Sequence, residues 1–116
     1  MHSEIDDPEV LKRLNERIND AENRGDRDFL AGILAPKLAF QRANPEKTVD
    51  NASAFLLKAM PGGERRIRIL DPIQLFGNRA IVECVVTQGE CDYHNLRMFV
   101  RRDDGWKLIA WANEPL

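Results

Sequence analysis

Apolar residues change their spacing at Pro61-Gly62-Gly63, and this change restricts the chain to few architectures. Before the tripeptide they recur every three or four positions, which is the repeat of an amphipathic helix. After it they alternate with polar residues, which is the repeat of a β-strand. Helices that precede a run of hairpin-connected strands predict an α+β domain, with the helices packed on one face of an antiparallel sheet.

Three helices are predicted on the amino-terminal side. Asp7 is placed to cap the first helix and Gly25 to end it. Asp26 and Asp50 are placed to cap the second and third helices, and Pro36 is expected to end the second. The apolar sides of the three helices carry Leu11, Leu14, Ile18 and Ala21, then Phe29, Leu30, Ile33 and Leu34, then Ala52, Phe55, Leu56 and Ala59.

A short strand, Leu38 to Ala43, is predicted between the second and third helices, and four strands follow the change of spacing. These four strands are joined by turns at Gly77-Asn78, Gly89-Glu90-Cys91 and Asp103-Asp104-Gly105. Asp71-Pro72 interrupts the first of the four strands and is expected to form a bulge or a kink.

Size and charge exclude several classes of protein. The 116 residues suffice for one domain, which we place at 1–116, and are too few for two. A net charge of -2 removes the electrostatic basis for binding nucleic acid through its phosphates. No apolar run is long enough to cross a membrane, and the start MHSEIDDP lacks the basic and apolar regions of a secretory signal. We therefore expect a cytoplasmic protein that binds neither nucleic acid nor membranes.

Cysteine and histidine are too few and too scattered to predict a metal site. Cys84 and Cys91 are the only cysteines, and they lack the CxxC spacing of metal and redox sites, so we expect two reduced thiols. His2 and His94 are the only histidines, which argues against a zinc or iron site built on histidine pairs. We expect neither a metal ion nor a cofactor.

Both faces of the predicted sheet carry apolar side chains. In the strand from Arg79 to Gln88, one face carries small or aliphatic residues, and the other is mostly apolar with one carboxylate, Glu83. The even-numbered residues of the first face are Ala80, Val82, Cys84 and Val86, and the odd-numbered residues of the second are Ile81, Glu83, Val85 and Thr87. Three helices cover only one face, so the second face is expected to be buried by another copy of the chain, in a homodimer. The odd-numbered face carries the aromatic and polar residues typical of a ligand cavity and is the predicted cavity wall.

The lengths of two turns decide which residues share that wall. If Gly89-Glu90-Cys91 and Asp103-Asp104-Gly105 are three-residue loops, then Glu83, Arg97 and Trp111 form a row across three strands. A slip of one residue in either loop would move a member of the row to the other face. The row is therefore a hypothesis that depends on both turns.

Trp106 and Trp111 are five residues apart in the last strand. Side chains alternate between the faces of a regular strand, so the two indoles are predicted to point to opposite faces. We interpret Trp106 as an anchor of the hairpin and Trp111 as a cavity residue.

Several residues are candidates for binding or catalysis. Glu83 could transfer protons to a ligand, or it could form a cross-strand ion pair with Arg97. His94 could act as a base, or it could be a rim or core histidine. Tyr93 and His94 are neighbours in a strand, so we expect them to point to opposite faces and not to act together. The ligand-binding candidates are Phe40, Arg42, Glu83, Arg97, Phe99, Trp111 and Asn113, and the catalytic candidates are Glu83 and His94.

Two segments are similar to those of a known family: VRRDDGWKLIAWANEPL, from Val100 to Leu116, and LAGILAPKLAFQRANPEKTVDNASAFLL, from Leu30 to Leu57. They resemble the nuclear transport factor 2-like superfamily. More narrowly, they resemble the SnoaL-like and ketosteroid isomerase-like bacterial domains. The resemblance implies a cone-shaped, cystatin-like fold, in which about three amino-terminal helices pack on the concave face of a curved antiparallel sheet. This fold hosts isomerases, cyclases, dehydratases and non-catalytic association modules.

Two members of the superfamily bear on the candidate site. The association domain of calcium/calmodulin-dependent kinases has a similar strand of the form R-x-aromatic-x-R-R-D-G, whose first arginine faces a deep pocket, and Arg97 matches this arginine. A second pocket arginine of that domain falls at Asn113, so the resemblance is incomplete. Ketosteroid isomerases use a tyrosine from the first helix, whereas Tyr93 is the only tyrosine in this chain.

Three functions remain open at this point. The first is binding of a small, partly apolar molecule in a largely apolar cavity, without an assignable reaction. The second is an isomerase, cyclase or dehydratase that works by general acid and base catalysis through Glu83 or His94. The third is a dimerisation or association module in which the cavity is incidental.

Overall fold

The computed structural model describes residues 6–116, which form three helices and six strands. In chain order the elements are α1 (Asp7–Arg24), α2 (Arg27–Ile33), β1 (Leu34–Gln41), β2 (Val49–Asp50), α3 (Ala52–Lys58), β3 (Arg66–Phe76), β4 (Arg79–Gln88), β5 (Cys91–Arg102) and β6 (Gly105–Pro115). The strands form one sheet in the order β2-β1-β6-β5-β4-β3. All neighbours are antiparallel except β1 and β6, which are parallel. The predicted α+β class is confirmed.

Side chains at the start of each helix satisfy its first unpaired backbone N–H groups. Asp6 accepts a hydrogen bond from the backbone N–H of Glu9 at 3.1 Å, so α1 is capped one residue earlier than predicted. Asp26 caps α2 as predicted. Asn51 caps α3, whereas Asp50, the predicted cap, lies in β2.

The first strand begins earlier than predicted, because α2 ends at Ile33 and the chain enters β1 directly at Leu34. Pro36 therefore lies inside β1 instead of ending the helix. It falls between Leu34 and Ala39, where the pairing of β1 with β6 shifts its register. Proline has no N–H to donate, and an irregular stretch of strand tolerates it.

The turn between β4 and β5 contains two residues, Gly89 and Glu90, and Gln88 pairs with Cys91. Because this turn is one residue shorter than predicted, Glu83 lies opposite Leu96 and not opposite Arg97. Directly paired residues share a face of the sheet, so Glu83 and Arg97 point to opposite faces. The predicted row of Glu83, Arg97 and Trp111 is wrong.

A β-bulge at Ile109 changes the alternation of side chains in β6. Phe99 lies opposite Leu108 and Met98 opposite Ala110, so Ile109 is the extra residue. The bulge brings both tryptophans of this strand to the same face, and the prediction that they point to opposite faces is wrong. The turn before β6 is also one residue shorter than predicted. The two differences cancel, and Arg97 lies opposite Trp111 as predicted.

The helices cover one face of the sheet, here called the inner face. A continuous hydrophobic core lies between them, and it contains Leu11, Ile18, Leu30, Phe40, Phe55, Val82, Phe99, Trp106, Leu108 and Trp111. The opposite face is called the outer face. It carries half-exposed apolar side chains at its centre, with Leu96 44% and Met98 38% exposed.

Histidine and cysteine side chains form no metal site in the part of the chain that is described. His2 lies outside the described residues. Within residues 6–116, no group of three or more His, Cys, Asp and Glu side chains is arranged to hold a metal ion. Cys84 is buried and Cys91 exposed, and both are free thiols. No helix in this range is long and apolar enough to cross a bilayer.

Candidate functional site

A cavity of about 500 Å³ lies between α1, α3, β1 and the inner face of β4, β5 and β6. Its apolar lining comes from Phe40, Phe55, Val86 and Trp111, together with Ala43 and Pro45 at the loop after β1. Its polar lining comes from Glu22, Arg42, Asn44, Arg65, Gln88, Tyr93, Asn95 and Asn113. The lining is more polar than the sequence predicts.

Three aromatic rings from three different elements form one wall. Phe40 of β1 and Trp111 of β6 have ring centroids 4.6 Å apart, and Phe55 of α3 lies 5.3 Å from Phe40 and 5.4 Å from Trp111. These tilted and edge-to-face arrangements are favourable for aromatic pairs. The three rings therefore form one continuous apolar surface at the cavity.

Arg97 lies beneath this wall and is fully buried. Its Nη1 donates to Oδ1 of Asn15 at 2.9 Å, and its Nη2 donates to Oδ1 of Asn95 at 3.0 Å. The indole Nε1 of Trp111 donates to the same oxygen of Asn95 at 2.8 Å. The guanidinium carbon also lies 4.4 Å from the centre of the Trp111 ring. Arg97 thus supports the wall and orients Trp111 and Asn95 towards the cavity.

Glu22 is a cavity residue that the sequence interpretation missed. It reaches the cavity from α1, and among residues 6–116 its carboxyl group has no hydrogen bond and no ion pair within 4.0 Å. Burial raises the pKa of Glu22, and Arg97, Arg65 and Arg42 counteract this effect only in part. The sequence contains a pattern from which Glu22 could be identified, because Asn15 and Glu22 interrupt the apolar stripe that includes Leu11 and Ile18.

Arg65, which precedes β3, is a second cavity residue that the sequence interpretation missed. Its backbone N–H donates to Oδ1 of Asn23 at 2.9 Å, and its carbonyl accepts from the side-chain amide of Asn19 at 3.0 Å. Its guanidinium Nη1 donates to the carbonyls of Gly62 at 3.3 Å and Glu22 at 3.4 Å. These bonds attach the start of β3 to the end of α1 and place the guanidinium at the cavity.

Arg42 lines the cavity where β1 ends, and Asp50 of β2 holds it there. Nε of Arg42 donates to Oδ2 of Asp50 at 2.6 Å, and Nζ of Lys58 donates to both carboxylate oxygens at 3.1 and 3.2 Å. Burial by itself would raise the pKa of Asp50, but the hydrogen bonds from Arg42 and Lys58 outweigh it and lower the pKa. Asp50 is therefore a structural anion that positions two cations.

Six of the seven ligand-binding candidates lie in or near the cavity or in the core, and the seventh, Glu83, lies on the outer face. Phe40, Arg42, Trp111 and Asn113 line the cavity, and Oδ1 of Asn113 is buried without a hydrogen-bond partner. Phe99 is fully buried in the core and does not line the cavity, and Arg97 lies behind its wall. For the four cavity residues, a role in binding stays a prediction.

The two catalytic candidates lie together on the outer face, away from the cavity. Nε2 of His94 is 3.0 Å from Oε1 of Glu83, and both side chains are partly exposed. The shorter turn between β4 and β5 places them there. The assignment of Glu83 to the cavity wall is therefore wrong.

Comparison with known proteins gives matches to structures only. No protein-family model matches the sequence, and no curated protein sequence matches it. An NTF2-like protein from Cytophaga hutchinsonii superposes with a TM-score of 0.82 at 16% identity, over 97% of this chain and 100% of that chain. The S. rosetta CaMKII hub superposes with a TM-score of 0.78 at 18% identity, over 98% and 100% of the two chains. A proposed dehydratase of the NTF2-like family from Streptomyces avermitilis reaches 0.76 at 21% identity, over 95% and 96%.

The chain therefore has the nuclear transport factor 2-like fold, as the resemblance of its sequence implied. This fold carries unrelated activities, so the function has to be argued from the cavity itself.

Proposed function

We propose that this chain binds a small organic molecule in the cavity on its inner face. The apolar part of the ligand contacts the wall of Phe40, Phe55 and Trp111, and its polar end meets Arg42 and Asn113. A cavity of about 500 Å³ is within the usual size for small-molecule sites.

The observation that carries this proposal is the combination of that aromatic wall with polar atoms that have no partner in the described part of the protein. Oδ1 of Asn113 is buried and accepts no hydrogen bond. The carboxyl group of Glu22, which lines the same cavity, has no hydrogen bond and no ion pair within residues 6–116. A buried polar group without a partner costs about 1–3 kcal/mol, and a polar ligand that supplies the partner recovers part of this cost. An apolar core alone would not place such groups around an open space.

Thermal unfolding with benzoate, benzamide and benzyl alcohol tests the proposal. A ligand at ten times its Kd stabilises the folded state by about 1.4 kcal/mol. For a domain of this size, such stabilisation raises Tm by roughly 4–8 °C. We expect at least one of the three ring compounds to produce a shift of this size.

Two tryptophan substitutions provide the control. Ala43→Trp places an indole at a position that lines the cavity and should abolish the shift. Ala31→Trp adds the same side chain at an exposed position of α2 and should leave the shift unchanged. A shift that persists in Ala43→Trp, or no shift with any probe, would contradict binding in this cavity.

We further propose that the chain forms a homodimer through its outer face. The half-exposed Leu96 and Met98 lie beside Ile81, Ala110 and Ala112 in one apolar surface, which small monomeric proteins rarely leave in water. A second copy would bury it by a two-fold symmetric contact.

A further inference from the structure

Three guanidinium groups lie close to Glu22 without pairing with its carboxyl group. Arg42, which follows β1, and Arg65, which precedes β3, line both the main cavity and a smaller opening beside it together with Glu22. Arg97 of β5 lies behind the cavity wall and bonds to Asn15 of α1, the helix that carries Glu22. The charges of all three lower the pKa of Glu22, against the effect of burial. No ion pair within 4.0 Å joins any of them to Glu22 in residues 6–116. The carboxyl group therefore lies in a positive field, with its oxygen atoms left for other partners.

The cations around the cavity outnumber the carboxylates. Arg97 donates only to the amide oxygens of two asparagines, and Arg65 donates only to carbonyl and amide oxygens. Arg42 and Lys58 share one carboxylate, that of Asp50. Four cations thus face two carboxylates, although the whole chain has a net charge of -2.

This balance decides which ligand charge the cavity accepts. An aromatic wall beside a carboxylate could hold a cation, because ring faces attract positive charge. Here, however, the surrounding guanidinium groups repel a cation and attract an anion. Lys58 adds to this field through a side opening of about 150 Å³, which Glu22, Arg42 and Arg65 also line.

We propose, on the basis of the binding function above, that the ligand is an organic carboxylate and that Glu22 takes up one proton when the ligand binds. Two carboxylates in one site repel each other, and protonation of one removes the repulsion. The protonated Glu22 then donates its O–H to the carboxylate of the ligand in a charge-assisted hydrogen bond. Arg42 and Arg65, which line the cavity, hold the remaining negative charge.

The charged and titratable groups that face Glu22 keep their protonation state when a ligand binds, so Glu22 is the group that takes up the proton. Arg42, Arg65 and Arg97 keep their charge at any physiological pH. Burial raises the pKa of Cys84, which lies on the adjacent β4, so this thiol stays neutral. The pKa of Tyr93 is raised as well, chiefly by Cys91, so its hydroxyl also keeps its proton.

Isothermal titration calorimetry on the full chain tests the proposal with three probes of similar shape: benzoate, neutral benzamide and cationic benzylamine. We expect benzoate to bind most tightly. In buffers with different ionisation enthalpies, its heat should report a net uptake of protons on binding. Its affinity should fall as the pH rises, by up to about tenfold per pH unit.

Glu22→Gln keeps the shape of the side chain and removes its ability to take up a proton. In this variant we expect benzoate to bind without proton uptake and with an affinity that no longer depends on pH. Glu16→Gln, an exposed position of α1, is the matched control and should behave as the unsubstituted chain. The dependence of the heat on buffer in the unsubstituted chain is a second test that needs no variant.

Each contrary result points to a different failure. Benzoate binding without proton uptake, or with the same uptake in Glu22→Gln, overturns the role of Glu22. Benzamide or benzylamine binding as tightly as benzoate overturns the preference for an anion and leaves the binding function intact. Absence of binding by all three probes overturns both.

Discussion

Glu22 and Asp50 show how the surroundings of a carboxyl group set its chemistry. Both lie close to Arg42 in the same region of the protein. Asp50 accepts hydrogen bonds from Arg42 and Lys58, and its pKa is lowered. The carboxyl group of Glu22 lies within the field of three arginines but accepts a hydrogen bond from none of them, and burial raises its pKa. Direct hydrogen bonds to the charged form therefore decide the direction of the shift.

Glu22→Gln is expected to change how stability depends on pH. Because the pKa of Glu22 is raised from 4.5 in the folded state, its destabilising effect is absent below that pH. The effect is complete only above the folded-state pKa, so the unsubstituted protein loses stability as the pH rises through this interval. Urea unfolding of both proteins at about pH 4 and about pH 8 should show that the variant gains stability only at the higher pH.

Asp50→Asn is expected to change the dependence of stability on pH in the opposite direction. The pKa of Asp50 is lowered from 3.8, so its stabilising effect is present above that pH and is lost as the pH falls through the folded-state pKa. At about pH 7 this variant should lose about 1–3 kcal/mol, the usual cost of removing a hydrogen-bonded charge. If Glu22→Gln changed stability equally at both pH values, the raised pKa of Glu22 would be refuted.

At the scale of elements, the end of α1 fixes the position of Arg65. Gly25 adopts φ 67° at the carboxyl end of α1, and a Cβ there would lie 2.5 Å from the backbone nitrogen of Pro61. The backbone N–H of Gly62 donates to the carbonyl of Asn23 at 3.1 Å. Only glycine combines this left-handed conformation with such a close approach of another backbone segment. The segment that leads to Arg65 therefore packs directly on the end of α1.

Gly25→Ala is expected to lower the free energy of unfolding by more than about 1 kcal/mol, because a left-handed alanine alone costs about 1–2 kcal/mol. The contact with Pro61 adds to this cost. Gly32→Ala is the matched control, since Gly32 lies in α2 and a Cβ there meets no atom within 4 Å. Alanine is the better helix former by about 0.5–1 kcal/mol, so this variant should gain stability. Urea unfolding that showed equal effects would contradict the packing at Gly25.

At the scale of the whole molecule, the two faces of the sheet have different surroundings. The inner face holds the core and the cavity, and the helices supply Glu22 and Phe55 to it. The outer face leaves an apolar centre exposed around Leu96 and Met98. A homodimer through that face leaves the cavity accessible, so binding and association do not compete for the same surface.

Leu96→Glu is expected to convert a dimer into a monomer, because it places a charge at the centre of the apolar surface. Multi-angle light scattering should report the dimer mass for the unsubstituted chain and the monomer mass for the variant. Leu57→Glu introduces the same charge on α3, where Leu57 is 77% exposed, and should leave the dimer intact. A monomeric unsubstituted chain would contradict the proposal.

Local patterns determine the order of the elements in this protein. The change of spacing at Pro61-Gly62-Gly63, the cap at Asp26 and the stop at Gly25 act over a few residues, so the sequence alone indicates them. The sequence alone also predicts that Arg42 and Trp111 lie at the cavity, because an arginine at a strand end and an aromatic residue on a mixed face are local signals. The resemblance to the nuclear transport factor 2-like superfamily indicates the fold but no reaction.

The face to which each side chain points, and the residues it contacts, could be determined only from the tertiary structure. The turn at Gly89-Glu90 and the bulge at Ile109 each change the pairing by one residue, and a change of one residue reverses the face of every side chain that follows. The bond between Asn15 and Arg97 joins residues 82 positions apart, and no local pattern specifies it. The charge environment of Glu22 arises in the same way, from arginines that only the folded chain brings together.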